Sequence, residues 1–225
     1  IDISFFEPSE NDSVFAESIK DSNVVLAMEY TSFSIKAGEL YGDSLLKPVD
    51  TLGEEGVDFK TGFVNLYTDT DGVTRSFNPH LMGVEDHDHF SMVIAEEILG
   101  TGTDLGNSRM LINFYDEPGG YNYISFSDVY NNIIDPSYFS DKIVLIGTSA
   151  IGLLDIRTTA FDIAYPGVEV HANVIDNMLA EDFIAISDSS VGYEQLLIVS
   201  IIFIIALIMF SMPATWGLAA VALLS

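Results

Sequence analysis

Hydrophobic positions along the first 180 residues switch repeatedly between two spacings. Short apolar runs bounded by glycine or turn residues predict strands, and these runs lie at residues 1–6, 23–28, 62–67, 72–77 and 109–115. Apolar positions three or four residues apart predict helices that begin at Asn11 or Asp12, cover Phe90–Leu99 and begin again near Ser127. Residues 31–58 mix glycines with scattered charge, so we expect only a loop and one short element there.

The most regular pattern lies at residues 141–179. A β-branched run at residues 143–146 is ended by Gly147 and predicts a buried strand. A turn of small residues follows. After the break at Tyr165-Pro166-Gly167, apolar residues return at helical spacing, at Val170, Val174, Ile175, Met178 and Leu179. The stretch therefore predicts a strand, a loop and a helix, which is half of a parallel α/β unit.

Strands that alternate with helices define the predicted fold class. We expect an α/β domain with a mixed, mainly parallel sheet and helices on both faces. One hairpin is expected through Asp69-Thr70-Asp71-Gly72. We place this domain at residues 1–190.

The pattern changes after residue 190. Residues 196–212 carry no charge over 17 positions, and about 17 apolar residues is the lower limit for crossing a bilayer core. We predict a transmembrane helix at residues 194–212 and the start of a second, truncated one at residues 216–225, with Trp216 at the membrane interface. No Lys or Arg follows Arg157, so the charges do not predict the orientation.

The charge balance excludes some partners. The chain has 8 Lys+Arg against 34 Asp+Glu, a formal net charge of -26. Nucleic acids and anionic lipid headgroups need basic surfaces, so neither is an expected partner. There is no cysteine, so the core must hold the fold together without disulfides.

Candidate ligand-binding residues cluster after the predicted strand at 143–146. Ligands of open α/β sheets bind at the carboxyl ends of strands, where loops present N–H groups and hydroxyls. The candidates are Gly147, Thr148, Ser149, Asp155, His171 and Asn173. The alternative is structural: a tight turn, caps and a packed histidine. His171 is also a candidate pH sensor, because histidine titrates near neutral pH.

Two acidic segments raise the question of a metal. Residues 85–89 (EDHDH), with His80 nearby, offer His87 and His89 as weak candidates, but their spacing matches no closed zinc site. Residues 69–72 resemble the opening of a calcium loop, yet position twelve is His80 instead of glutamate, so a hairpin turn is the expectation. We predict no metal and no cofactor.

Enzyme signatures are missing from the sequence. There is no cysteine nucleophile, no GxSxG and no HExxH, and the P-loop pattern is absent after Gly147. We therefore predict that this chain is not an enzyme, although a longer protein could contain a cyclase or kinase beyond it.

Five segments together resemble a known family. They are DISFFEPSENDSVFAESIKDSNVVLA, GFVNLYTDTDGVTR, YISFSDVY, KIVLIGTSAIGLLD and YPGVEVHANVIDNML, in this order. They resemble the second type of CHASE domain, an extracellular sensor module found ahead of bacterial adenylate cyclases, histidine kinases and Ser/Thr kinases. The resemblance implies an extracytoplasmic sensor of an unknown small ligand or condition, anchored in the cytoplasmic membrane and dimeric. It also implies that a membrane helix and a first strand precede residue 1.

Two other functions stay open from the sequence. A membrane-anchored α/β enzyme could act on a small molecule at the edge formed by residues 147–155. A ligand-free assembly domain could instead hold neighbouring membrane proteins together. Turnover would favour the first, and a defined protein partner without turnover or small-molecule binding would favour the second.

Overall fold

The computed structural model describes most of the chain. The described residues are 1–36, 39–50, 52, 59–83, 85–100, 102, 109–115, 117–149, 155–182, 184–185 and 188–211. They divide into two compact units, Ile1–Ala185 and Ile186–Ser225. The predictions for residues 150–154 and 212–225 lie outside the described residues.

The elements follow one another along the chain as helices, short strands and one long hairpin. In chain order they are α1 (Asp12–Ile19), β1 (Val25–Lys36), β2 (Glu39–Leu46), β3 (Lys60–Phe63), β4 (Ser76–Phe77), β5 (His80–Gly83), β6 (His87–Asp88), α2 (Phe90–Leu99), β7 (Met110–Leu111), α3 (Phe126–Tyr130), a 3₁₀-helix (Pro136–Phe139), β8 (Ile156–Arg157), β9 (Tyr165–Pro166), α4 (Gly167–Leu179), β10 (Ile184–Ala185) and α5 (Asp188–Ser211).

The main sheet is mixed, as predicted. Its strand order is β3-β1-β2-β5-β6, and a three-stranded sheet β10-β7-β4 and the pair β8-β9 accompany it. The expectation of mainly parallel pairing is wrong for the described residues, because only β1–β3 and β2–β5 are parallel and the other five strand pairs are antiparallel.

The largest departure from the sequence prediction is the hairpin of β1 and β2. We expected a loop and one short element after residue 30, but β1 continues to Lys36 and pairs with the whole of β2. The outer half of β1 has exposed polar residues, with Thr31 and Ser32 among them. Only Phe33 and Ile35 are apolar in this half, and two alternating residues are too short a pattern to indicate a strand.

The predicted buried strand at residues 143–146 is also wrong. Ile143 and Val144 are 44% and 48% exposed. The β-pairing described for these residues is one isolated parallel bridge between Asp2 and Gly147. In this bridge the N–H of Asp2 donates to the carbonyl of Ile146 at 2.8 Å. The predicted strand at residues 1–6 is reduced to the same bridge. Apolar composition favours a strand, but a strand also needs a partner along its length.

The core lies around helices α2 and α4, which pack against each other. Both helices begin and end close to the predicted positions, and α2 ends at Gly100, whose φ is +66°. Val170 and Val174 of α4 are fully buried with Phe77 and Met110 of the small sheet. Burying such a side chain stabilises the fold by about 1.5–3 kcal/mol, so α4 is the element on which this part of the domain depends.

The second unit contains helix α5. Its 24 residues include the apolar run that begins at Leu196, and the large side chains of that run are exposed. Within the described part of the chain, no helix combines the length and the apolar character that crossing a membrane requires.

Candidate functional site

Gly147 lies directly against the first turn of α4. A Cβ atom at Gly147 would come within 2.7 Å of the Cβ of Val168, so only glycine permits this approach. Thr148 beside it is half-buried and Ser149 is exposed. The structure therefore places the small-residue turn at the amino-terminal end of α4, where helix N–H groups lack partners within the helix.

Asp155 lies at the same end of α4. A Cβ at Gly167 would be 2.3 Å from Oδ1 of Asp155. The carboxylate therefore packs directly against the backbone of Gly167, the first residue of α4. Gly167 N–H donates to the main-chain carbonyl of Asp155 at 3.0 Å. Burial, followed by the charge of Asp2, raises the pKa of Asp155, while Arg157, 3.4 Å away, opposes the rise. A carboxylate near a helix N-terminus is favoured by the helix dipole.

Asp2 joins this end of α4 from across the bridge to Gly147. The sequence analysis missed it, since nothing in the local pattern distinguishes it from the other acidic residues. Its side chain is only 9% exposed, and its Oδ2 is buried without a hydrogen-bond partner. Burial raises the pKa of Asp2 to about 6, against the opposing charge of Arg157. A buried carboxylate oxygen without a partner is costly, because its desolvation is not compensated.

His171 faces Asp2 from α4. Its Nε2 is 3.9 Å from Oδ2 of Asp2, and its Nδ1 is 3.1 Å from Oγ of Ser91 on α2. Burial lowers the pKa of His171 to about 4. The imidazole is therefore neutral at pH 7 and joins three parts of the domain: the Asp2 edge, α2 and α4.

The two weak metal candidates lie in separate environments. His89 is the N-cap residue of α2, where its Nδ1 accepts from Ser91 N–H at 3.3 Å and its ring packs against Phe63 and His171. Burial lowers the pKa of His89 well below its usual value. His87 instead has its Nε2 3.4 Å from a carboxylate oxygen of Glu85. Among the described residues, no three His, Cys, Asp or Glu side chains are arranged to hold a metal ion.

The carboxylates at residues 69–72 are bound by arginine. Arg75 contacts both Asp69 and Asp71 at 2.8–3.0 Å, and Arg109 reaches Asp69 at 3.2 Å. The Gly72 N–H donates to the Asp69 carbonyl, and Gly72 has a φ of +84°. These contacts form the turn that the sequence predicted. The strand pairing beside it is reduced to one antiparallel bridge between Tyr67 and Ser76, because β3 and β4 pair with β1 and β7 instead.

Asn173, the last predicted ligand residue, has its amide group occupied within the fold. Its Nδ2 donates to the hydroxyl of Tyr165 at 3.0 Å and to the carbonyl of Glu169 at 2.9 Å. Its Oδ1 accepts from the N–H of Tyr115 at 3.1 Å. Asn173 therefore holds neighbouring segments in place and does not face the turn at Gly147.

Three more side chains of α4 bind the segment of residues 113–123, and the sequence analysis missed all three. Asn177 exchanges hydrogen bonds with the N–H and the carbonyl of Asn113 at 2.8 and 2.9 Å. Glu169 accepts from Gly119 N–H and from a tyrosine hydroxyl, and Asp176 accepts from another. The tyrosines are Tyr123, on Glu169, and Tyr121, on Asp176. Polar residues at three- and four-residue spacing inside an otherwise apolar helix were the available signal.

Ser91, His171 and Asp2 together have the composition of a catalytic triad. The Oγ of Ser91 and the imidazole of His171 are both buried, so a substrate has no access to them in this conformation. A cleft of about 560 Å³ lies elsewhere, lined by residues of β3 and α2 that include Lys60, Val93 and Glu97. The arrangement defines a class of protein: an α/β domain whose ionisable cluster is enclosed between packed elements.

The family is shown by direct comparison. A sequence model of the CHASE2 domain matches residues 1–210, and the chain belongs to this family of extracellular, non-catalytic sensory domains. Comparisons with curated proteins and with solved structures found no match.

Proposed function

We propose that this chain is the sensory part of a transmembrane receptor. Residues 1–190 form its extracytoplasmic domain, residues 194–212 cross the cytoplasmic membrane, and a second crossing begins at residue 216. The receptor relays its signal to a cytoplasmic adenylate or guanylate cyclase or a protein kinase. Membership of the CHASE2 family supports the sensory role, and the uncharged run of 17 residues supports the membrane crossing.

The proposed site of signal detection is the amino-terminal end of α4. Gly147, Thr148 and Ser149 contact the small ligand, and Asp155 and His171 respond beneath them. Asn173 positions α4, because its amide is already occupied. The observation that carries this proposal is the buried, unpartnered Oδ2 of Asp2 beside His171, since buried polar atoms are nearly always hydrogen-bonded and perturbed ionisable groups cluster at functional sites.

The proposed relay carries the signal along the chain from α4 to α5, which follows it in sequence. A change at the start of α4 shifts the balance between two arrangements of the domain, and the helix that leaves it moves relative to its copy in a homodimer. No cofactor takes part in this mechanism.

Cysteine crosslinking tests the relay. The chain has no cysteine, so single cysteines at residues 191–200 give an unambiguous pattern of dimer crosslinks in membranes. We expect His171→Leu to change which positions crosslink, because it removes the contacts of the imidazole with Ser91 and Asp2. The matched control is His80→Leu, on the partly exposed hairpin of β5 and β6, which should leave the pattern unchanged. An identical pattern in the His171→Leu background, in protein that folds normally, contradicts the relay.

One observation favours the assembly alternative. No residue between 121 and 149 is buried, yet this segment contains several large apolar side chains. The most exposed are Phe126, Tyr130 and Ile133. Exposed apolar patches mark interaction surfaces, so capture of one defined protein partner without any small-molecule binding would favour assembly over sensing.

A further inference from the structure

The Asp2 edge and α4 meet at a contact that has two groups able to exchange a proton. Asp2 is held at the edge by its bridge to Gly147, and Gly147 touches Val168 of α4. Across this contact, Oδ2 of Asp2 faces Nε2 of His171 at 3.9 Å, which is about 1 Å longer than a hydrogen bond. The two side chains are nearly enclosed, with 9% of Asp2 and 3% of His171 exposed, and Oδ2 of Asp2 has no hydrogen-bond partner within the protein.

Ser91 allows His171 to adopt either neutral tautomer. Its Oγ is 3.1 Å from Nδ1 of His171 and 3.4 Å from the main-chain carbonyl of the same residue. When Nδ1 has no proton, the serine hydroxyl donates to it. When Nδ1 has a proton, that N–H donates to Oγ and the hydroxyl turns to the carbonyl. The hydroxyl of Ser91 therefore has a hydrogen-bond partner with either tautomer of His171.

We propose that Asp2 and His171 act as a proton-linked latch, in which uptake of one proton by the pair fastens the Asp2 edge to the first turns of α4. The proton comes from solvent and binds Oδ2 of Asp2. The new O–H then donates to Nε2 of His171, whose own proton resides on Nδ1 and points to Ser91. One proton is gained, and no other group changes its charge.

The surrounding charges favour this step. Asp2 faces the carboxylate of Asp155 and the guanidinium of Arg157, and His171 also faces His89 from the start of α2. Two carboxylates that share a nearly closed space resist ionising together, so one of them binds a proton readily. Burial, followed by the guanidinium of Arg157, opposes a positive charge on His171, which directs the proton to the carboxyl.

The two partners respond to pH with opposite signs. Burial raises the pKa of Asp2 from 3.8 to about 6, so the folded state binds a proton that the unfolded chain releases. The contribution of Asp2 to stability is complete below pH 3.8 and is lost as the pH rises through about 6. Burial lowers the pKa of His171 from 6.5 to about 4, so its contribution is complete above 6.5 and is lost as the pH falls toward 4.

Thermal unfolding of the full chain between pH 7 and pH 4.5 tests the latch. The protein is studied in detergent micelles. We expect Asp2→Asn to raise the melting temperature at pH 7 by roughly 3–8 °C, because the amide is neutral and donates to His171. This gain should shrink as the pH falls. In the His171→Gln background the gain from Asp2→Asn should be smaller, because the amide then has no imidazole to donate to.

His80→Gln serves as the control background, in which the gain from Asp2→Asn should be the same as in the wild type. A gain from Asp2→Asn that does not change with pH, or one that is equal in the wild-type and His171→Gln backgrounds, would overturn the latch. If a variant does not fold, deuterium exchange at C2 of the histidine rings in the wild type decides. A midpoint for His171 near 6.5 rejects the latch, because a charged imidazole cannot accept from Asp2, and a midpoint near 4 leaves the neutral imidazole that the latch requires.

The latch rests on the proposed function only in that it would serve the sensory role. Loss of the pH-dependent gain from Asp2→Asn would remove the latch and leave the crosslinking test of the relay unaffected. Unchanged crosslinks would remove the relay and leave that gain in place.

Discussion

Two glycines allow the candidate site to form. Gly147 brings the turn against Val168, and Gly167 brings the Asp155 carboxylate onto the first turn of α4. In both cases a side chain would occupy the space that a neighbouring atom already fills. The close contacts at the start of α4 therefore depend on missing Cβ atoms.

Gly167→Ala should destabilise the domain by about 1–3 kcal/mol, because the added methyl group overlaps the partly buried carboxylate of Asp155 and forces it to move. Denaturant unfolding followed by circular dichroism measures this change. Gly192→Ala is the control, since a Cβ at Gly192 meets no atom within 4 Å, and no loss of stability is expected there. Equal stability of Gly167→Ala and the wild type would show that the carboxylate does not need this position.

At the residue scale, the sequence predicted part of the site. Asp155, His171 and the turn at Gly147 do lie at one end of α4, as the strand-end rule suggested, although the strand behind that rule is absent. Asp2 could not be predicted, because it is one of 34 acidic residues and reaches the site only through tertiary pairing. The role of Asn173 was also hidden, since its partners lie on two other segments.

Helix α4 organises its surroundings through polar side chains as well as apolar ones. Asn173 and Asn177, one turn apart, bind the backbone of residues 113–115 in the manner of a neighbouring strand. Glu169 and Asp176 bind the following residues. Side chains of α4 therefore supply hydrogen-bond partners to N–H and carbonyl groups of residues 113–115, which lie outside the described strands.

Asn177→Ala should expose the segment after β7. The change leaves the N–H and carbonyl of Asn113 without partners, which costs about 1–3 kcal/mol when such groups are shielded from water. Amide hydrogen exchange should become faster at residues 111–115. Asn11→Ala is the matched control, because the Asn11 side chain makes no capping hydrogen bond at α1. Unchanged protection of residues 111–115 would contradict the anchoring role.

At the element scale, helices were predicted far better than strands. α1, α2 and α4 each bury one face against the core, and this produces the regular apolar spacing that indicates a helix. The strands β4 and β7 have two residues each, too few to show any alternation. Residues 143–146 are apolar without being paired along their length, so composition and structure disagree there.

At the scale of the whole molecule, a sensory domain contains an enclosed ionisable cluster at the start of α4. The chain belongs to a family of extracellular sensory domains, and its net charge of -26 disfavours polyanions as the signal. We propose that the end of α4 near Thr148 detects a small molecule or ion.

A thermal-shift screen of the full chain tests that claim most directly. The probes are amino acids, sugars, organic acids and nucleotides, together with Ca²⁺, Mg²⁺ and Zn²⁺. A ligand at 100 times its dissociation constant stabilises the fold by about 2.7 kcal/mol, which is a rise of roughly 5–10 °C in melting temperature. We predict that one class of probe raises the melting temperature, that Thr148→Val abolishes the rise, and that Thr31→Val, on the exposed part of β1, retains it. A rise that persists in Thr148→Val, or no rise with any probe, would contradict detection of a small ligand at this site.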